Sequence, residues 1–236
     1  MLEACVGEHW PAASVLTSVG EVPADLILVA ADVAPNVELT RAAGVACSPT
    51  GAFAVDAHQR TNIPSIFAAG DCAEHWSRLL RQPAWVPLGT TTNKQRRVAG
   101  RSAAGGDAVF GGIVGTAITR PFSLELGHSG LRERQARAPH LAPISMTVDS
   151  TDHAGYFPDA QPLTVKLVAE SGSGRLLGAQ AVGRSGVAKR IDVVATALFA
   201  GLTIDELPQL DLAYAPPFNS VWDPVQVAAT VLFRQQ

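Results

Sequence analysis

An apolar run, Ile66 to Ala69, leads into Gly70 and then Asp71, within Thr61-Asn-Ile-Pro-Ser-Ile-Phe-Ala-Ala-Gly-Asp71-Cys-Ala-Glu74. Glycine has no Cβ, so the chain can turn sharply there and a ligand can approach closely. A carboxylate where a strand hands over to a helix is placed to accept hydrogen bonds from a sugar-like hydroxyl. The same strand-Gly-Asp arrangement also occurs as a plain helix N-cap. A second candidate is Pro87-Leu-Gly-Thr-Thr-Thr-Asn-Lys-Gln95. A helix opening at Gly89 presents free N–H groups and partial positive charge, suited to negative charge on a ligand; an ordinary capped surface helix is the plainer reading. A third is Tyr214, in Asp211-Leu-Ala-Tyr-Ala-Pro-Pro-Phe-Asn-Ser-Val-Trp-Asp-Pro224. The two prolines after it stiffen the chain and hold the ring in place, which serves catalysis and interface packing equally.

Other chemistries are poorly supplied. Cys5, Cys47 and Cys72 lie far apart with no Cys-x-x-Cys, which argues against a disulfide framework, a zinc site or a local redox pair. Cys72 follows Asp71 but reads best as a small buried hydrophobe. The six histidines show no metal spacing, and solvated or structural roles suit most of them. No Gly-x-Gly-x-x-Gly follows a strand: Gly183-Arg-Ser-Gly186 and Gly105-Gly106 have neither the spacing nor the context. With 18 bases against 21 acids, the chain has no basic footprint for nucleic acid. No apolar run has the length of a membrane span, and Met1-Leu-Glu-Ala-Cys-Val-Gly-Glu is not built as a signal peptide. Sparse cysteines predict a reduced, cytoplasmic setting.

The elements that must position these residues fall into two parts. Ala24-Asp-Leu-Ile-Leu-Val-Ala-Ala31 reads as a strand buried on both faces of a parallel sheet. Val37 to Ala43 reads as a helical turn ended by Gly44, and Phe53–Asp56 and Ile66–Ala69 as short strands. Gly89 to Ala104 reads as a helix that Thr90, Thr91 or Thr92 caps. Gly105 to Gly115 is the expected boundary, giving domains over 1–114 and 115–236. Beyond it, Leu163–Val168 and Leu176–Val182 flank Ser171-Gly-Ser-Gly174, a hairpin signal. Val187 to Ala200 follows as an amphipathic helix ended by Gly201. Thr203-Ile-Asp-Glu206 is a capping box opening a further short helix. The expected fold is α/β, followed by an α+β domain with an antiparallel sheet.

These strings, taken together, resemble the C-terminal half of the pyridine nucleotide-disulfide oxidoreductases. Ala30-Ala-Asp-Val-Ala-Pro-Asn36 is similar to the end of that family's NAD-binding domain, with its glycines replaced. Gly51–Asp56 and Thr61–Glu74 resemble the return into the FAD domain. The resemblance implies that Ala69, Gly70 and Asp71 face the ribityl chain of FAD, and that Leu88, Gly89 and Thr90 face its ring. From Thr116 onward the chain resembles the dimerisation domain, with Asp211–Pro224 closest to the coenzyme A-disulfide reductase and NADH oxidase/peroxidase branch. There the resemblance assigns Tyr214, and Tyr156 in His153-Ala-Gly-Tyr-Phe-Pro158, to the partner subunit's active site. The His-Pro proton donor of the glutathione reductase branch has no counterpart.

The resemblance further implies cofactors FAD and NAD(P)H and a homodimer, with α-helix Val187–Ala200 and the Tyr214–Trp222 segment near the contact. The expected activity is hydride transfer through FAD to a disulfide of the coenzyme A type, a peroxide or oxygen. The family's first glycine fingerprint and its redox cysteine have no counterpart here, so the sequence reads as a C-terminal piece of such an enzyme. The alternative is a non-catalytic dimerisation or interaction module derived from one.

Overall fold

The computed structural model describes residues 2–6, 14–30, 33–137 and 141–235. Two compact units divide the chain, Met1–Ala34 and Pro35–Gln236.

In the first unit, β1 (Leu2–Val6), β2 (Ser14–Thr17) and β3 (Gly20–Pro23) form an antiparallel sheet in chain order. Thr17 Oγ1 donates to the Gly20 carbonyl at 2.8 Å and closes the β2–β3 turn. The sequence did not announce this sheet. The parallel strand expected over 24–31 does not form: residues 24–30 carry no strand, and Leu26 and Leu28 stand 88% and 87% exposed. Ala31 lies outside the described residues. A strand with two apolar faces needs hydrogen-bonded neighbours on both edges, and no described strand pairs with this run.

The second unit opens with α1 (Glu38–Arg41), the expected helical turn, followed by Gly44 at φ +82°. Phe53–Asp56 and Ile66–Ala69 are not strands. Phe53 makes single bridges to Cys47 and Ala73, and Phe67 one to Arg60. Val37, Val45, Phe53, Ala68 and Ala73 pack behind them as a small core. Among the described residues, parallel pairing is confined to the Phe53–Ala73 and Ser77–Ile113 bridges. The hydrophobic pattern fits an extended buried chain, but the ladder that makes it a strand is missing. β4 (His75–Ser77) and β5 (Gln82–Ala84) form a hairpin. α2 (Gly89–Ala103) then runs as expected, but no threonine caps it. Leu88 holds the N-cap position in an extended conformation, because Thr90, Thr91 and Thr92 already lie inside the first turn.

The remainder is a two-layer domain. β6 (Ala117–Thr119), β7 (Glu125–Gly130), the short α3 (Glu133–Ala136), β8 (Pro143–Thr151), β9 (Pro162–Glu170) and β10 (Leu176–Gly183) supply an antiparallel sheet of order β6-β7-β10-β9-β8. The β9–β10 hairpin is in the expected place, with Leu163 opposite Gly183 and Leu167 opposite Ala179. Leu163, Val165 and Leu167 alternate into the core at 1% exposure or less, as the pleat requires. α4 (Val187–Ala200) packs on β7 and β10, and ends at Gly201 with φ +78°. Its buried Val187, Ile191, Val194 and Leu198 are spent on its own sheet, so its apolar stripe gives no reason to place it at a subunit contact. Glu206 Oε2 accepts from the Thr203 N–H at 2.8 Å and from Thr203 Oγ1 at 2.9 Å. The short helix expected after this capping box is a 3₁₀ turn, Leu207–Gln209, with Pro208 inside it; the chain is extended again at Leu210. α5 (Pro224–Phe233), for which no sequence signal was read, packs on β8 and β9 and is N-capped by Asp223, whose carboxylate accepts from Val225 N–H at 2.9 Å.

Candidate active site

Two hydrogen bonds join the Gly70–Asp71 turn to the first two turns of α2, and two more brace the chain around it. Gln95, wholly buried on the inner face of α2, accepts from the Gly70 N–H at 2.8 Å and donates to the Glu74 carbonyl at 2.9 Å. Thr92 Oγ1 donates to Asp71 Oδ1 at 2.9 Å. Trp85 Nε1 donates to the Asp71 carbonyl at 2.8 Å. Gly70 sits at φ +87°, and a Cβ there would stand 3.0 Å from Thr92 Cγ2, so a side chain is refused by both the backbone and the helix. Asp71 is exposed, and so are Gly89 and Thr90 at the helix start; Ala69 and Leu88 are half-buried. The structure therefore gathers a solvent-facing carboxylate and the positive end of a 15-residue helix onto one locality. Sequence reasoning names both ends but not the strut between them. The signal for Gln95 is present in the sequence: Thr91, Gln95 and Ser102 are polar residues at helical spacing, and all three are buried.

The two tyrosines also meet. Tyr156 Oη and Tyr214 Oη lie 3.2 Å apart although 58 residues separate them. Their loops are stitched together: the Ala154 N–H donates to the Pro216 carbonyl at 3.3 Å, and Ser220 Oγ to the His153 carbonyl at 3.4 Å. Asp152 holds His153 Nδ1 at 2.9 Å. The hydrogen bond with Tyr156 raises the Tyr214 hydroxyl above its ordinary value of 10.0. Both rings face solvent, Tyr156 at 77% and Tyr214 at 45% exposure, and Phe218, Val221 and Trp222, which follow Tyr214 in the chain, are exposed as well. These side chains are not packed beneath their own domain.

The remaining candidates are quiet. Cys47 and Cys72 are free and half-buried, and the Cys72 thiol donates weakly to the Ala69 carbonyl at 3.5 Å. Among the described residues no cluster of His, Cys, Asp and Glu could hold a metal ion, and no helix is long and apolar enough to cross a membrane. Burial pushes His75 and His128 down from 6.5.

Comparison with known proteins bears on the whole chain. Residues 5–100 match the family model described as pyridine nucleotide-disulphide oxidoreductase, and residues 117–225 match that family's dimerisation domain. An NAD(P)H sulfur oxidoreductase (CoA-dependent) of Pyrococcus furiosus is 38% identical over 218 residues, 92% of this chain and 49% of the relative. A coenzyme A disulfide reductase of Staphylococcus haemolyticus is 32% identical over 86% of this chain and 46% of the relative. The solved structure of an NAD-dependent persulfide reductase from A. fulgidus superposes with a TM-score of 0.91 at 41% identity, covering 99% of this chain and 43% of that one. The chain thus spans about half the length of the curated relatives it matches. Two models of one family, one on either side of the Gly-rich segment, account for most of its residues, and the chain belongs to the pyridine nucleotide-disulphide oxidoreductases.

Proposed function

We propose that the intact protein is an FAD-dependent NAD(P)H oxidoreductase that reduces a disulfide of the coenzyme A type, as a homodimer in a reducing, cytoplasmic setting. In this reading residues 1–114 are the C-terminal part of the FAD/NAD(P)-binding region and residues 115–236 the dimerisation domain. One observation carries it: the Gly70–Asp71 turn is bonded to the start of α2 through Thr92 and Gln95. A flavin needs a hydroxyl acceptor and a positive helix end on the same side, and these residues fit that need. Bound FAD supplies the two-electron relay between NAD(P)H and the acceptor. Asp71 would accept from a ribityl hydroxyl, with one of its carboxylate oxygens accepting from Thr92 Oγ1 at 2.9 Å. The N–H groups of Gly89 and Thr90 would favour negative charge on a ring bound against the start of α2.

The tyrosine pair supports the acceptor assignment. Two hydroxyls 3.2 Å apart on an exposed surface form a donor that can protonate a leaving thiolate. Across a two-fold axis they would reach the other subunit's flavin face, so each site would be completed by the second copy. The relatives named for coenzyme A-dependent sulfur chemistry point the same way.

Asp71→Ala in the full-length protein tests the reading. It removes a hydrogen bond to a charged group, about 1.5–3 kcal/mol, so FAD affinity should fall by roughly tenfold or more. FAD held as tightly as by the unmodified protein would refute it.

A further inference from the structure

The pair of hydroxyls poses a geometric problem. Both rings are exposed, so packing on the rings themselves does not fix their separation. The backbone of two distant loops must do so. Besides the direct Ala154–Pro216 and Ser220–His153 bonds, one side chain from outside reaches both loops. Arg190 projects from the inner face of α4, 1% exposed, among apolar neighbours. Its Nη2 donates to the Asp152 carbonyl and to Asn219 Oδ1, each at 2.7 Å. Its Nε donates to Asp223 Oδ2 at 3.1 Å, and Nη1 to the Gly186 carbonyl at 3.2 Å. Asn219 Nδ2 in turn donates to the carbonyl of Ala213, the residue before Tyr214, at 3.3 Å. A continuous bonded path therefore runs from Asp152, in the Tyr156 loop, through Arg190 and Asn219 to Ala213.

The surroundings are shaped for that guanidinium. Gly186 lies at φ +76°, and a Cβ there would run into Arg190 Nη1. Asp223 and Asn219 are each 1% exposed, so three buried polar side chains are committed to one junction. Burying an ion pair is a poor way to gain stability, since an apolar residue of similar volume usually does as well or better. The position is an apolar one by helical spacing, next to Ile191 and Val194. What arginine offers and an apolar residue does not is a rigid planar fork that fixes several acceptors at once.

We propose that Arg190 is a positioning residue that sets the Tyr156–Tyr214 hydroxyl separation by clamping the two loops that carry them. The catalytic consequence rests on the function proposed above; the geometric claim does not. The 236-residue chain contains only two tyrosines, so its tyrosinate absorbance reports on this pair alone. The hydrogen bond with Tyr156 holds the Tyr214 hydroxyl above its ordinary value, so parting the two hydroxyls lowers that titration. The test compares the chain with Arg190→Met/Asp223→Asn, which removes both charges and leaves an amide able to cap α5, and with Arg190→Lys, which keeps the charge without the fork. Circular dichroism selects the variants that fold. The expected result is a Tyr214 titration above the ordinary tyrosine value, about 10, in the unmodified chain and its return towards that value in the double variant. If that variant fails to fold, Arg190→Lys is read instead, with a partial return of the Tyr214 titration expected. An upper tyrosinate midpoint that stays unchanged in the folded variant overturns the proposal.

In the full-length enzyme, Arg190→Lys should lower disulfide turnover by about tenfold or more, as misplacement of a reacting group does, while reduction of the flavin by NAD(P)H keeps its rate. In a Tyr156→Phe/Tyr214→Phe background the same change should cost less than about twofold, because its target is gone. An equal loss in both backgrounds shows that Arg190 acts elsewhere and overturns the proposal. A lowered Tyr214 titration with undiminished turnover upholds the positioning role and removes the catalytic role of the pair.

Discussion

Gln95→Met is the most searching perturbation of the flavin-side site. Gln95 is wholly buried and bonds the Gly70 N–H at 2.8 Å and the Glu74 carbonyl at 2.9 Å. Methionine keeps the length and flexibility of the side chain but supplies neither bond. Both backbone partners belong to buried residues, and each unsatisfied group costs about 1–3 kcal/mol. Replacing an amide by a thioether returns roughly 1–2 kcal/mol of apolar burial. The two lost partners together cost about 2–6 kcal/mol, so the net loss is about 0–5 kcal/mol, centred on about 2.5 kcal/mol. Because the same bonds hold the Asp71 turn against Thr92, FAD affinity should fall with stability, by roughly tenfold for each 1.4 kcal/mol that reaches the site. Urea unfolding of the flavin-free full-length protein measures the first effect, and titration with FAD followed by flavin fluorescence the second. Gln95→Glu is the informative control: it keeps an acceptor for Gly70 but turns a negative oxygen towards the Glu74 carbonyl, so it should also lose affinity. A methionine variant with the urea midpoint and FAD affinity of the unmodified protein would refute the strut.

Three further outcomes are expected from the same geometry. Trp222, Phe218 and Val221 form an exposed apolar group, with Trp222 at 59% exposure, so the full-length protein should sediment as a dimer and Trp222→Arg should shift it towards monomer at micromolar concentration; a monomeric unmodified protein contradicts this. The 236-residue chain lacks a Gly-x-Gly-x-x-Gly and should purify without flavin absorbance, whereas one FAD per chain would show that the ribityl side suffices alone. Burial holds His75 below 6.5 in the folded state. The unfolded chain therefore takes up the proton first as pH falls, and the His75 contribution, present above pH 6.5, is lost below it at up to about 1.4 kcal/mol per pH unit; His75→Gln should flatten that part of the stability profile, and an unchanged slope would assign it to another group.

Local patterns in the sequence carried the antiparallel domain. Leu163, Val165 and Leu167 alternate, Ser171-Gly-Ser-Gly174 turns, and Gly201 stops α4, each for reasons contained in a few neighbouring residues. Gly70 and Asp71 were legible for the same reason: a glycine at a turn and an acid beside it declare themselves locally. The resemblance named the two tyrosines but could not show that they touch. The strands expected at 53–56, at 66–69 and over the described part of 24–31 did not form because a strand needs a hydrogen-bonding partner, which apolar content alone does not specify, and partners are a tertiary property. Thr92 illustrates the same limit. Its type and place suited a helix cap, yet its hydroxyl is bonded to Asp71, because the turn at Gly70 packs against that face of the helix. Arg190 is the furthest from legibility. By spacing it sits where a core residue belongs, and only the folded chain reveals that Asp152, Gly186, Asn219 and Asp223 converge on it. A buried charge is tolerated only where acceptors from distant segments meet, and no stretch of sequence contains that meeting.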